Sequence, residues 1–282
     1  MKSLTSCLVI LLVGLLGAAV RAEGQLVLYD HFPQGFLDET KWGGSQTITP
    51  PNTTILEYVR EIQGDRLHMT NRAFGSQFYN SGRSTATVRV GSRGFPGGLT
   101  TARVSIKVEG VEAKGCSDNG TSTLARAQLV GNFFKTSDVT NGVKDHVLGL
   151  IQIQRASNSA DKPNVLVVSG GIVHCADSDC LLPPYFALFE ELGKVKLGQW
   201  ATVEIEWDEV DKQFIFTLDK NPPQSISYSD REWDFYPLDC HPQCQGINLE
   251  AQHKIANCGA ERQMGFVDAD FDNVFINEGT IP

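Results

Sequence analysis

Glu204, Glu206 and Asp208 stand at i, i+2 and i+4, with Ile205 and Trp207 between them. On an extended chain that spacing puts three carboxylates on one face and the two apolar side chains on the other. Neighbouring carboxylates are groups that donate a proton, accept one or attack as a nucleophile. Glu209 follows directly. The same alternation also describes the wetted face of a half-buried antiparallel strand, and that plainer reading weighs more.

Other residue groups carry different chemistry. Cys240-His241-Pro242-Gln243-Cys244, with His253, Cys258 and His174-Cys175, assembles zinc-type ligands, but the spacing matches no standard zinc module. Disulfides are the better reading. Trp233, Phe235 and Tyr236 crowd into residues 229–237 beside Asp230, Arg231 and Asp234. Flat apolar rings next to polar groups suit a sugar ring, though such aromatics more often anchor a long loop on a core. The chain has no Gly-x-Ser-x-Gly elbow, no phosphate-binding glycine loop and no His-Glu-x-x-His pair.

The 282 residues carry 24 Lys+Arg against 33 Asp+Glu, a formal net charge of −9. That sign disfavours a nucleic-acid binder, whose affinity grows from neutralising phosphates. At 41% hydrophobic and 20% charged, the chain is able to bury a full core. Lys2, the uncharged apolar run Leu8–Val20 and Ala22 read as a secretory leader, residues 1–22. The apolar run is too short for an ordinary spanning helix, and no other segment qualifies. Loss of the leader takes Cys7 with it. Six cysteines remain: Cys116, Cys175, Cys180, Cys240, Cys244 and Cys258. An even count fits disulfides in an oxidising compartment, with 15 possible pairings. Cys175 and Cys180 bracket a turn-like Ala-Asp-Ser-Asp and form the best local pair; the other four supply the remaining bridges.

Elements able to position these groups are mostly strands. Thr101–Glu109 alternates Ala102, Val104, Ile106 and Val108 with Arg103, Ser105, Lys107 and Glu109. Residues 25–29, 66–70, 147–153, 165–173, 264–267 and 273–276 are further β-rich runs. Residues 202–207 and 213–218 flank a polar connection and predict a hairpin. Tyr185 to Gly193 is the one helix candidate, ending on a glycine as a C-cap would. Frequent turn signals and no evident linker predict a single all-β domain over 23–282. The expected architecture is an antiparallel β-sandwich with one short helix and disulfide-stapled loops.

Four segments together resemble the concanavalin A-like jelly rolls, the laminin-G-like and glucanase-like sandwiches. They are Tyr29-Asp30-His31-Phe32 with Leu37–Trp42, Arg60–Leu67, Gly198–Asp208 with Phe214–Asp219, and Ala269–Val274. The resemblance covers about residues 25–278, and fold alone does not dictate function. It implies that a calcium ion joins the first and last strands, with Asp272 and the nearby Asp30 as ligands and Asp268 and Asp270 as further candidates. An acidic edge strand that blunts aggregation is the competing account. Laminarinase-like hydrolases in this group place catalytic acids at alternate strand positions. Here the acids of 204–209 are permuted and stand late in the chain. The expected function is therefore a secreted, non-catalytic binding module for carbohydrate or another extracellular polymer. The alternatives are a divergent glycoside hydrolase using Glu204, Glu206 and Asp208 or Glu209, and an adhesion domain with a protein partner.

Overall fold

The computed structural model describes residues 25–48, 55–76, 78–95, 98–117, 119–135, 146–176, 186–228, 245–259 and 261–278. The proposed leader, Cys180, Cys240, Cys244 and the aromatic group Trp233, Phe235 and Tyr236 lie outside these residues. Within them the chain forms strands and no helix. In order they are β1 (Val27–Asp30), β2 (Trp42–Ile48), β3 (Ile55–Ile62), β4 (Leu67–Phe74), β5 (Arg83–Ser92) and β6 (Leu99–Ala113). Then come β7 (Leu124–Lys135), β8 (His146–Ala156), β9 (Val165–His174), β10 (Phe186–Lys196) and β11 (Trp200–Asp208). The last are β12 (Gln213–Leu218), β13 (Gln224–Ser227), β14 (Gly246–Cys258), β15 (Glu261–Arg262) and β16 (Met264–Glu278).

Two antiparallel sheets face each other, as the alternation requires. Sheet A runs β13-β12-β11-β6-β16-β4-β3, with β1 also against β16; sheet B runs β10-β9-β8-β7-β14-β5-β2, with β15 on β14. Between them lies one large core. Sheet A contributes Ala102, Val104, Ile106, Val203, Ile205, Phe214, Phe216 and Phe271, and sheet B contributes Val88, Leu129, Ile151, Val168 and Leu249. A Cβ added at Gly149 would meet the Phe214 ring at 2.7 Å, and one at Gly170 would meet Phe216 at 2.5 Å. Glycine at those two places lets sheet B accept the rings of β12. The expected antiparallel β-sandwich is thus the fold.

The helix expected over 185–193 is instead strand β10. It pairs with β9 from Phe186↔His174 to Lys196↔Val165, and a bulge falls between Glu191 and Gly193. Gly193 takes φ 150°, so the glycine that suggests a helix end supplies a kink in an edge strand. The runs 264–267 and 273–276 are one long strand, β16, broken by a register shift between Asp272 and Phe275 where Asn273 takes φ 50°.

A disulfide joins Cys116 to Cys258, 142 residues apart, and ties the end of β14 to the chain after β6. Cys175 is disulfide-bonded as well. No helix among the described residues is long and apolar enough to cross a membrane.

Candidate functional site

The acids singled out on β11 share the outer face of sheet A, while Ile205 and Trp207 enter the core. Glu204 is half-buried and lies 3.7 Å from Arg103 on β6. The buried Asp208 closes the β11–β12 turn: Oδ1 accepts from the Asp211 amide at 3.1 Å and Oδ2 from Gln213 Nε2 at 3.1 Å. Glu209 is exposed in that turn.

Asp30 has a structural task. It is buried, Oδ2 accepts from Trp42 Nε1 at 2.7 Å and Oδ1 accepts from the Phe32 amide at 2.9 Å. Tyr29 and Phe32 pack on the Trp42 ring at centroid distances of 5.3 and 5.7 Å. The opening motif is therefore a knot around one tryptophan. Asp272 accepts from the Asn273 amide and from Asn273 Nδ2 at 2.6 and 2.9 Å. No group of three His, Cys, Asp or Glu able to hold a metal occurs among the described residues.

The neighbouring acids of β16 sit in an ion network. Asp270 is met by Arg66 Nη1 at 3.0 Å, His68 Nδ1 at 3.0 Å and Lys107 Nζ at 3.3 Å. Burial works to raise the Asp270 pKa, but the hydrogen bonds from these three partners leave it below the ordinary value. Asp268, half-buried with His68 Nε2 at 3.5 Å, is shifted upward by burial. Trp200 lies beside this group, with Lys107 Nζ 5.1 Å and Arg66 5.8 Å from its ring centre.

A different place meets the requirements of a ligand site. On the outer face of sheet B, strand register lines up Arg89, Glu250, Gln128, Gln152, Ser169 and Glu191 in one row across β5, β14, β7, β8, β9 and β10. The next row holds Thr87, Gln252, Arg126 and Gln154. This face points away from the core between the sheets, yet Glu250, Gln128, Gln152 and Arg126 are only 4%, 2%, 2% and 6% exposed. Glu250 Oε2 accepts from Gln128 Nε2 at 2.5 Å and from Gln252 Nε2 at 3.4 Å. Arg126 donates through Nη1 to Gln152 Oε1 at 2.8 Å and through Nη2 to Gln252 Oε1. Gln154 Nε2 donates to Ser169 Oγ at 3.4 Å.

Four buried polar atoms of this face have no partner: Thr87 Oγ1, Arg126 Nε, Gln128 Oε1 and Gln154 Oε1. Each costs about 1–3 kcal/mol when sealed without a partner. Natural proteins rarely gather such atoms in one place without an ion, a water or a ligand to serve them. Beside the polar block lies an apolar one, Val130, Leu148, Leu150, Val173 and Cys175, separate from the main core. Phe189, 42% exposed, stands opposite Gly171 at its margin. Hydroxyl-directed donors and acceptors next to an apolar platform suit a sugar.

Sequence reasoning missed this face because its strands look ordinary. Arg126 and Gln128 alternate with Ala125, Ala127 and Leu129, and Glu250 and Gln252 with Leu249 and Ala251, as on any wetted strand. The sign that sets them apart is that the alternation recurs on adjacent strands with several amides and an arginine around one glutamate.

No family model and no curated protein sequence matches the chain. Solved structures resemble it in architecture. The catalytic domain of an endo-1,3-beta-glucanase (laminarinase) from Thermotoga petrophila RKU-1 is 11% identical, with a TM-score of 0.44 over 91% of this chain and 100% of that one. A family 16 glycosyl hydrolase from Mycobacterium smegmatis is 12% identical, with a TM-score of 0.42 over 88% and 98%. A GlcNAcα1-4Gal-releasing endo-β-galactosidase from Clostridium perfringens is 11% identical, with a TM-score of 0.42 over 90% and 64%. These three neighbours are glycan hydrolases, whereas the sequence reading put a non-catalytic binding module first and a divergent hydrolase second. The chain is thus similar in fold to the laminarinase and glucanase jelly rolls of the concanavalin A-like type.

Proposed function

We propose that the chain is a divergent glycoside hydrolase that works on the outer face of sheet B, with Glu250 as its reactive carboxylate. The observation that supports this reading is the sealed amide–arginine network centred on that one acid. Two amide donors on Oε2 fix the rotamer. An oriented carboxylate at a sugar-binding face is equipped to attack the anomeric carbon or to take a proton from the attacking water. The unpartnered Gln128 Oε1, Gln154 Oε1 and Thr87 Oγ1 accept sugar hydroxyls, and Arg126 Nε donates.

Glu191 shares the row but stands four strand spacings away, roughly 19 Å. That is too far for the ~5 Å or ~6.5–9.5 Å separations of paired catalytic acids. The partner acid is therefore not Glu191. The leader read from residues 1–22 supports an exported enzyme that acts on an extracellular polymer.

The test is release of new reducing ends from a panel of polysaccharides by the full chain. Glu250→Gln is expected to lower the rate at least about 100-fold with an unchanged melting temperature. Glu204→Gln is expected to retain full activity. Full activity in Glu250→Gln, or no release from any polysaccharide, overturns the proposal.

A further inference from the structure

The polar block on sheet B is cationic in a chain that is acidic overall. Arg126 and Lys254 project from its strands beside Glu250, and the only other carboxylate of that row, Glu191, stands four strands away on β10. Lys254 is a diagonal neighbour of Arg126, since Gln252 pairs with Arg126 and Lys254 with Leu124. Neither has a carboxylate within ion-pair distance among the described residues. Arg126 spends its two Nη groups on neutral amide oxygens and keeps Nε unpartnered. A buried guanidinium held by amides alone is an incomplete arrangement, because buried charge is ordinarily paired. Burial, and then the charges of Arg126 and Arg83, push Lys254 down to about 8. The ammonium is thus poorly compensated where it stands.

Neighbouring groups bear on the same point. Thr85 and Leu124, which flank Lys254 across β5 and β7, carry no charge. Arg83, further along β5, is engaged with Ser122 through Nε at 2.7 Å and Nη2 at 2.9 Å. The charge that completes this corner must come from outside these strands.

We propose that the site takes a glycan bearing an anionic group, a uronate carboxylate or a sulfate ester, seated between Arg126 and Lys254. This rests on the reading of the sheet B face as the glycan site, and adds the class of substrate to it. Arg126 offers the Nε corner of its planar fork, a geometry that matches carboxylate and sulfate oxygens. Lys254 supplies a point charge from the side. The acceptors Gln128 Oε1, Gln154 Oε1 and Thr87 Oγ1 are left for the hydroxyls of the same chain.

The experiment compares three oligosaccharides of equal length by calorimetry on the full chain: a neutral β-glucan, an oligouronate and a sulfated galactan. Inorganic sulfate is titrated alone. At least one anionic oligosaccharide is expected to bind ten-fold or more tighter than the neutral one, with affinity falling as salt rises. Lys254→Gln and Arg126→Gln are each expected to remove most of that preference, and Lys254→Gln is the variant that leaves the buried network intact. The two anionic arms separate uronate from sulfate. Equal or tighter binding of the neutral oligosaccharide overturns the anionic class while leaving the hydrolase reading in place. A preference that survives both substitutions overturns the seat. Inorganic sulfate binding as tightly as the oligosaccharides reduces the site to an anion site and overturns it as well. Binding of none of the three, together with no cleavage of any polysaccharide, overturns the underlying reading.

Discussion

Single residues on this sandwich are decided by the face they occupy. Glu204 and Glu250 both sit mid-strand in apolar alternation, yet one meets Arg103 on an open face and the other is sealed among amides. His253 illustrates the inner face. It is fully buried between the sheets, where ring Nε2 meets the Asn71 carbonyl at 2.9 Å. Burial, helped by the charge of Arg126 and opposed by that hydrogen bond, pushes it down to about 4. Folded His253 is neutral, whereas the unfolded chain takes up a proton near pH 6.5. The unfolded state then holds the extra proton between those values. Stability is full above about pH 6.5 and falls as pH drops toward 4, by on the order of 3 kcal/mol. Denaturant midpoints measured from pH 7.5 to 4 are expected to show a shallower pH slope in His253→Gln. Gly170 gives a second prediction at this scale. Gly170→Ala forces a Cβ into Phe216 and is expected to cost about 1–3 kcal/mol, read as a lower melting temperature.

At the scale of elements, the sequence reading fails where a local pattern has two solutions. Phe186, Phe189 and Leu192 repeat with a helical step, and Gly193 follows as a cap would. The segment is β10 because β9 offers a free edge along ten paired positions, from Val165 to His174. Tertiary pairing overrides a weak helical period. Gly193→Val removes the φ 150° kink and is expected to destabilise by about 1–3 kcal/mol and to raise hydrogen exchange in β10 selectively. The hairpin of β11 and β12 was legible because alternation, turn and alternation agree. On β16 the elements converge on a charge. Asp270 collects Arg66, His68 and Lys107 from β6 and the region of β4. Asp270→Asn leaves three donors to share one neutral acceptor oxygen in place of a carboxylate. It is expected to cost about 1–3 kcal/mol near pH 7, with a smaller penalty once the pH falls below the ordinary carboxylate value.

The whole molecule is held by one core and cross-linked at its margin. The Cys116–Cys258 bridge spans 142 residues and so limits a long loop in the unfolded chain. Cys116→Ser with Cys258→Ser is expected to lower stability by about 2–5 kcal/mol without loss of the sandwich, checked by equilibrium unfolding and far-ultraviolet dichroism. Charge is also distributed at this scale. The acids of β11 and β16 lie on the outer face of sheet A, whereas Arg89, Arg126 and Lys254 lie on the outer face of sheet B. A net charge summed over the chain does not reveal that division.

Taken alone, the amino-acid sequence determined the class of fold. Period-two alternation, turn residues and the Tyr29–Phe32 and Trp42 motif are local properties, and each survives in the sandwich. What tertiary structure decided is the site. Arg126, Gln152, Gln252 and Glu250 come from β7, β8 and β14, which are more than a hundred residues apart at the extremes. Their register sets Glu250 opposite Gln128 and Gln252 opposite Arg126, and a slip of one residue would turn every one of them into the core. Alternation says only that a side chain faces away from its neighbour. Which face is sealed, and which partners share it, depends on strand pairings that no local pattern contains.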